Sequence, residues 1–146
     1  MGSTGRGEDS GWHDGICRRC TRCHRSPSEM FICTGPVSQM YREPVSCDLA
    51  AAMLAEIGVE SVKFYPIEEK KRLDEMAEMV KAAVRHQIRI FEPTGGIDLD
   101  SLPDLVEVCE QHGAERIIPH IYTSIVDRET GQTRVEDVKA LFQSVL

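Results

Sequence analysis

From residue 31 onward, short apolar runs alternate with helical patterns, and this alternation constrains the fold more than any other feature. The apolar runs are FICTGPVS (31–38), VESVKFY (59–65), QIRIFE (87–92) and RIIPHIYTSIV (116–126). Apolar residues at helical spacing follow each run, over 47–57, about 68–86, 101–112 and from about 134 to the end. The resulting β-α-β-α-β-α-β-α order predicts parallel strands joined by right-handed helical crossovers.

Two α/β architectures fit that order, a doubly wound sheet and part of a (β/α)8 barrel, and the spacing does not choose between them. Local signals mark the helix starts. Ser46 is placed to cap the first helix, while Ser101 with Asp104 and Thr133 with Glu136 resemble capping boxes. In the last helix the residues expected to face the core are Val138, Leu141, Phe142 and Val145.

The composition predicts one domain and the kind of ligand it binds. Residues 1–30 are rich in Gly, Ser, Arg and Cys without apolar periodicity, so we expect a disordered tail before a single domain at 31–146. No run resembles a membrane span or a signal peptide core, which predicts a cytoplasmic protein. The net charge of -7 opposes a nucleic-acid-binding face. A small molecule is therefore the expected partner, rather than nucleic acid or a membrane.

The cysteines cluster early in the sequence, in a pattern that resembles a metal site. Five of the six precede residue 48, and without a sign of export we expect reduced thiols. In CRRCTRCH, the four candidate ligands Cys17, Cys20, Cys23 and His24 lie too close together for a two-knuckle zinc site. We therefore expect neither a metal nor a cofactor. A module that binds metal or nucleic acid through this tail is the alternative.

Lys63 is an unusual residue for a strand. Side chains alternate along a strand, so the bulky Val62 and Phe64 suit a helix layer and Lys63 points to the opposite face. In a barrel that face lines the interior, where enzymes of this architecture keep their catalytic groups. An enclosed amine favours the neutral form, which can attack a ketone to form a Schiff base. The alternative is an ion pair at the strand end with Glu68 or Glu69.

The turn PTGGI (93–97) and two polar residues at strand ends could complete such a site. Backbone N–H groups at Gly95 and Gly96 can approach an oxyanion closely, and Thr94 adds a hydroxyl. The alternative is a plain tight turn. Glu92 and His120 are candidates for moving protons, although a histidine in an apolar strand is often a hydrogen-bonded core residue.

These segments together resemble the keto-deoxy-phosphogluconate aldolases. VKFYP is similar to the Schiff-base strand of that superfamily, typically K-F-F-P, and PTGGI to its phosphate-binding turn, in the same order and at the same separation. EPTGGIDL, IIPHIYTSIVD and the trailing TGQTR are closer still to the KDGP aldolase family, which includes the enzyme of the bacterial glucosaminate pathway. The resemblance runs from about Ile32 to the C-terminus.

The resemblance implies a (β/α)8 TIM barrel and reversible aldol cleavage of 2-keto-3-deoxy-6-phosphogluconate to pyruvate and glyceraldehyde 3-phosphate. Lys63 would hold C2 as an imine. Ser124 in the last motif would join the PTGGI turn in binding substrate or phosphate. The chain carries only the last four strands, without the early strand that supplies the acidic general base, and Glu92 is the nearest substitute.

Four strands do not close an eight-stranded barrel. Three outcomes are open: two copies pair into a homo-oligomer, another chain supplies the other half, or the chain is a truncated form with little activity. A second hypothesis, from a different class, is a non-catalytic oligomerising or phosphate-binding fragment of an aldolase.

Overall fold

A computed structural model of the chain describes residues 14–19, 27–41 and 43–146. The strands are β1 (Asp14–Arg19), β2 (Glu29–Ile32), β3 (Val45–Ser46), β4 (Ser61–Tyr65), β5 (Ile90–Pro93) and β6 (Arg116–Ile117). The α-helices are α1 (Cys47–Glu56), α2 (Leu73–Arg85), α3 (Leu102–Gln111) and α4 (Val135–Val145). Short 3-10 helices cover Ser38–Met40 and Thr123–Ile125.

The strands form one six-stranded mixed sheet in the order β3-β2-β1-β4-β5-β6. Strands β1, β4, β5 and β6 are parallel; the sequence predicts this for β4, β5 and β6, whereas β1 falls in the segment predicted to be a disordered tail. The first predicted strand, FICTGPVS, is wrong in both extent and direction, because β2 covers Glu29–Ile32 and runs antiparallel to β1. Strand β1 takes the position beside β4, so β2 pairs with the other edge of β1 in the opposite direction. The sheet is open and no barrel is closed.

The helices pack side by side in chain order and cover one face of the sheet. Val62, Phe64 and Phe91 point into this helix layer and are fully buried there, and the two phenylalanine rings stack with centroids 6.2 Å apart. The alternate residues of the same strands point to the opposite face. Lys63 and Glu92 therefore lie on the side of the sheet that the helices leave uncovered.

The fourth predicted strand, residues 116–126, is much shorter than expected. Regular pairing of β6 with β5 ends after Ile117, although the Ile118 N–H still donates to the Phe91 carbonyl at 2.9 Å, and Pro93 of β5 has no N–H to donate in return. Pairing resumes at His120, whose N–H donates to the Pro93 carbonyl at 2.9 Å in an isolated parallel bridge between Thr94 and His120. This interrupted strand brings His120 beside the carboxyl end of β5.

Helix α2 begins later than predicted, at Leu73 instead of about residue 68. The intervening loop is held by the turn after β5: the amides of Ile67, Glu68 and Glu69 donate to carbonyls of residues 94–96 at 2.9–3.1 Å. Glu68 and Glu69 both have positive φ, which a helix does not accommodate. Long-range backbone bonds thus override the helical pattern of this segment.

One of the three predicted helix caps is confirmed. Ser46 Oγ accepts the Leu49 N–H at 3.1 Å at the start of α1. The box at Ser101 is wrong, because its hydroxyl bonds to Asp98 instead of to the helix. The box at Thr133 is also wrong, because α4 starts one residue later with Arg134 as its N-cap and no side-chain cap.

The expected core face of α4 is only partly buried. Leu141 is buried, but Phe142 is 64% exposed and Val145 is 40% exposed. Helix α4 lies at the end of the helix layer, with α3 on one side only. A neighbouring helix that would cover this stripe is not present among the described residues.

Parts of the predicted tail lie in the sheet, since β1 and the start of β2 fall within residues 1–30. The rest of the tail, including Cys20, Cys23 and His24, lies outside the described residues. The domain boundary at residue 31 stays a prediction.

Cys33, Cys47 and Cys109 are buried free thiols, as expected, and burial raises the pKa of Cys109 to about 12. Across the described residues, every helix is too short or too polar to cross a membrane.

Candidate active site

The uncovered face of the sheet places an amine and a carboxylate in adjacent strands. Lys63 in β4 is the register partner of Glu92 in β5, and alternation directs both side chains to the same face. Lys63 is partly buried, whereas Glu92 is almost completely buried, with its side chain 8% exposed. The sequence-predicted amine and its predicted acidic substitute are therefore neighbours near the carboxyl ends of parallel strands.

Glu92 belongs to a hydrogen-bonded network that crosses three segments. Its Oε1 accepts the Ser61 hydroxyl at 2.5 Å, and its Oε2 lies 2.7 Å from His120 Nε2. His120 Nδ1 lies 3.0 Å from the Tyr122 hydroxyl oxygen. The structure thus brings together Glu92 and His120, which the sequence analysis selected as separate candidates. A carboxylate beside a histidine orients the imidazole ring.

The PTGGI turn depends on its two glycines. Gly95 and Gly96 have φ of 88° and 87°, a region that other residues rarely adopt. A Cβ on Gly95 would lie 2.7 Å from the Tyr65 ring, and one on Gly96 would lie 3.3 Å from Glu68 Cα. The turn therefore packs against the end of β4 and the loop after it. Its carbonyls hold that loop.

A cavity of about 340 Å³ opens between this turn and the segment after β6. The turn after β5 and the segment after β6 form its two walls. The lining comprises Glu69, Gly95, Gly96, Ile97, Asp98, His120, Tyr122, Thr123 and Ser124. Four predicted site residues thus share one cavity. Lys63 is not among its lining residues; its register partner Glu92 bonds to His120, which does line the cavity.

The charges around the cavity are acidic. Glu69 and Asp98 line it, and no Lys or Arg of the described residues does. The Ser101 hydroxyl donates to Asp98 Oδ1 at 2.6 Å and holds the pKa of this carboxyl below its usual range. Asp98 therefore stays ionised at neutral pH, so an anion at the turn depends on backbone N–H groups instead of a cationic side chain.

The remaining predicted site residues have structural contacts. Thr94 is buried and pairs through its backbone with His120 in the isolated β-bridge. Its side chain does not line the cavity. The Ser124 hydroxyl donates to the Ile97 carbonyl at 2.7 Å, which fixes the cavity wall. The ion-pair alternative for Lys63 is not found among the described residues, because the ion pairs recorded for Glu68 and Glu69 are with Arg72 and Lys71.

Sequence reasoning missed two members of the network, Ser61 and Tyr122. Each lies two residues from a selected residue, Ser61 before Lys63 and Tyr122 after His120. Alternation could have identified Ser61, because the period of two along a strand places it on the same face as Lys63. The same alternation places Tyr122 in step with His120, as the contact between the two side chains shows, but nothing in it marks Tyr122 as a site residue.

Metal binding is not supported within the part of the chain that the structure describes. No group of three or more His, Cys, Asp or Glu side chains there could hold a metal ion. The candidate ligands of the CRRCTRCH segment lie outside the described side chains.

Comparison with known proteins shows the family of the chain. The family model for KDGP aldolase matches residues 22–129, more than half of the chain. The 2-dehydro-3-deoxy-phosphogluconate aldolase of Salmonella typhimurium (strain 14028s / SGSC 2262) is 39% identical over 122 residues, which is 82% of this chain and 49% of that protein. The chain thus spans about half the length of the curated relative it matches. It belongs to the KDGP aldolase family.

Proposed function

We propose that the chain carries the Schiff-base half of a class I aldolase that cleaves 2-keto-3-deoxy-6-phosphogluconate to pyruvate and glyceraldehyde 3-phosphate. The observation that carries the proposal is the register of Lys63 opposite Glu92, with the His120 cavity alongside. The named activity of the relative in Salmonella supports the substrate. In this proposal the four helices on one face of the sheet form half of the outer helix layer of a barrel, and Lys63 lies on the inner face of that barrel.

The chemistry begins at the Lys63 amine. Its nitrogen attacks the keto carbon C2, water leaves, and a protonated imine forms. A base then takes the proton of the C4 hydroxyl, and the C3–C4 bond breaks with its electron pair moving to the imine nitrogen. The aldehyde product leaves. Protonation at C3 and hydrolysis of the imine release pyruvate and restore the amine.

Glu92 and His120 are the groups we assign to proton movement. They face the same side of the sheet as Lys63, and Glu92 is close to it in register. Proton transfer by a positioned side chain typically contributes about 10²–10⁴-fold to a rate. Glu92 is the register partner of Lys63 and bonds to His120, which makes them the acid–base pair we assign to the amine.

The substrate's phosphate or carboxylate is assigned to the turn of Thr94, Gly95 and Gly96, with Ser124 on the opposite wall. The positive φ of both glycines suits a turn whose backbone N–H groups approach an oxyanion closely. The neighbouring Glu69 and Asp98 oppose a phosphate dianion in the cavity. The amides must therefore supply the attraction, which limits binding to an oxyanion placed directly over the turn.

Completion of the site belongs to the proposal, because the sheet is open and the relative is about twice as long as the matched region. We assign completion to a second copy of the chain. The exposed apolar stripe of α4 supports this assignment. The competing proposal is a folded oligomer without turnover, favoured by the same open sheet.

Pyruvate release from 2-keto-3-deoxy-6-phosphogluconate tests the function, with Lys63→Arg as the decisive variant and Lys81→Arg as its control. Arginine keeps the positive charge but does not form an imine. Lys81 is a helix-surface lysine paired with Glu78. We expect turnover in the wild type and in Lys81→Arg, and a loss of at least about 10³-fold in Lys63→Arg. A folded wild-type oligomer without pyruvate release supports the non-catalytic alternative.

A further inference from the structure

The hydrogen-bonded network of Glu92, His120 and Tyr122 fixes which nitrogen of His120 carries the proton. Glu92 is a buried carboxylate, and its Oε2 at 2.7 Å accepts a hydrogen bond from His120 Nε2–H. In a neutral imidazole the other nitrogen is then an acceptor. His120 Nδ1 therefore receives the Tyr122 hydroxyl proton at 3.0 Å. Both ring nitrogens are occupied, so His120 reaches a ligand only through Tyr122.

Tyr122 is the solvent-facing end of this network. The residue is 59% exposed, whereas the side chains of His120 and Glu92 are 21% and 8% exposed. Tyr122 lines the cavity together with His120, Gly95 and Gly96. With its proton directed at His120, the phenol oxygen keeps its lone pairs for a donor in the cavity.

We propose that Tyr122 is a catalytic residue that takes the proton of a substrate hydroxyl in this cavity, with His120 behind it as the proton store. This inference rests on the proposed aldol cleavage. The substrate O–H bond breaks as its proton moves to Tyr122 Oη, while the original Tyr122 proton moves to His120 Nδ1. The alkoxide electrons form the aldehyde carbonyl, and the C–C bond electrons go to the Lys63 imine.

In this scheme the proton moves through Tyr122 and His120, and Glu92 contributes to proton movement as a positioning residue, together with Ser61. After the transfer His120 is an imidazolium with Nε2–H facing the Glu92 carboxylate, an arrangement that a nearby negative charge stabilises. The Ser61 hydroxyl holds the other carboxylate oxygen at 2.5 Å. The reverse transfer returns the proton from His120 through Tyr122 in the condensation direction.

The activity test compares Tyr122→Phe with Tyr41→Phe in the full chain. Phenylalanine keeps the ring and removes only the hydroxyl. Tyr41 is a comparably exposed tyrosine, 67% exposed, in the loop before β3. We expect kcat for cleavage to fall about 100-fold in Tyr122→Phe, with little change in KM and with Lys63 still trapped by borohydride and pyruvate. Tyr41→Phe should match the wild type. Wild-type kcat in Tyr122→Phe would overturn the proposal.

A spectroscopic test does not depend on turnover. In ¹⁵N NMR of the wild type, His120 should have a protonated Nε2 and an unprotonated, hydrogen-bonded Nδ1. Only Tyr122→Phe should shift the Nδ1 resonance toward that of a free acceptor nitrogen. A proton on Nδ1, or a resonance unchanged in Tyr122→Phe, would refute the relay. If wild-type Lys63 is not trapped, the Schiff-base proposal fails, and this spectrum alone then decides for or against the relay.

Discussion

At the residue scale, Gly95 shows how an absent side chain builds the candidate site. Its φ of 88° and the nearby Tyr65 ring and Pro66 backbone leave no room for a Cβ. The sequence indicates a Gly-Gly turn but not its contacts, because Tyr65 and Pro66 are brought there by the parallel pairing of β4 and β5. The requirement for glycine thus comes from tertiary structure.

The change Gly95→Ala should destabilise the protein by about 2–3 kcal/mol, because positive φ and steric overlap both oppose the methyl group. Gly131→Ala is the matched control, since Gly131 also has positive φ but open space around its Cα. We expect the control to lower the free energy of unfolding by about 1 kcal/mol. Urea unfolding measures both. Equal losses for the two variants would show that the contact with Tyr65 contributes nothing.

Asp98 gives a pH dependence at the same scale. The hydrogen bond from the Ser101 hydroxyl lowers the folded pKa of Asp98 below its unfolded value. The contribution of this bond to the free energy of unfolding is therefore complete above about pH 4 and is lost as the pH falls through the folded pKa. Ser101→Ala should therefore cost about 1 kcal/mol at pH 7, and the difference from wild type should shrink in acid.

Unfolding at pH 7 and at about pH 3 checks this expectation. Ser144→Ala is the control, because the Ser144 hydroxyl bonds to the backbone carbonyl of Leu141 and involves no titrating group. A Ser101→Ala difference that is the same at both pH values would contradict the assigned role of Asp98.

At the element scale, local signals predicted the helices well and the strands less well. Helix α1 and its Ser46 cap are confirmed, but of the apolar residues whose helical spacing predicts it, Leu54 is buried while Leu49, Met53 and Ile57 are exposed. The segment before α2 also looks helical, but Glu68 and Glu69 bond to carbonyls of the turn after β5. Such bonds join residues distant in sequence, so no local pattern carries them.

The last strand illustrates the same limit on local patterns. RIIPHIYTSIV has strand composition, yet only Arg116–Ile117 forms a regular strand, and Pro93 of β5 has no N–H to donate to its continuation. Alternation places Tyr122 in step with His120, and the two side chains do meet. The contact of His120 with Glu92 depends on the pairing with β5, which the pattern of a single strand does not carry.

At the scale of the whole molecule, the family and the parallel core could be predicted from the sequence, but the sheet edge could not. Strand β1 lies in a segment without apolar periodicity, and its pairing with β4 places β2 antiparallel. The exposed stripe of α4 was expected to be core, because its spacing is that of a buried helix face. The sequence of a helix predicts that such a face is apolar but does not identify the segment that packs against it.

We expect light scattering to give a mass at least twice the 16.4 kDa of one chain. Phe142→Asp should reduce the mass to that of the monomer, because a charge within an apolar interface is costly. Gln143→Asp adds the same charge at the next position of α4 and should keep the wild-type mass. A wild-type monomer would contradict completion by a second copy.

The central claim is that the Lys63 amine forms an imine with pyruvate, and borohydride reduction of the full chain in the presence of pyruvate tests it most directly. Mass spectrometry of the digested protein should find the reduced adduct on Lys63, and Lys63→Arg should remain unlabelled. Folded wild-type protein without an adduct, or with the adduct on another lysine, would contradict the account.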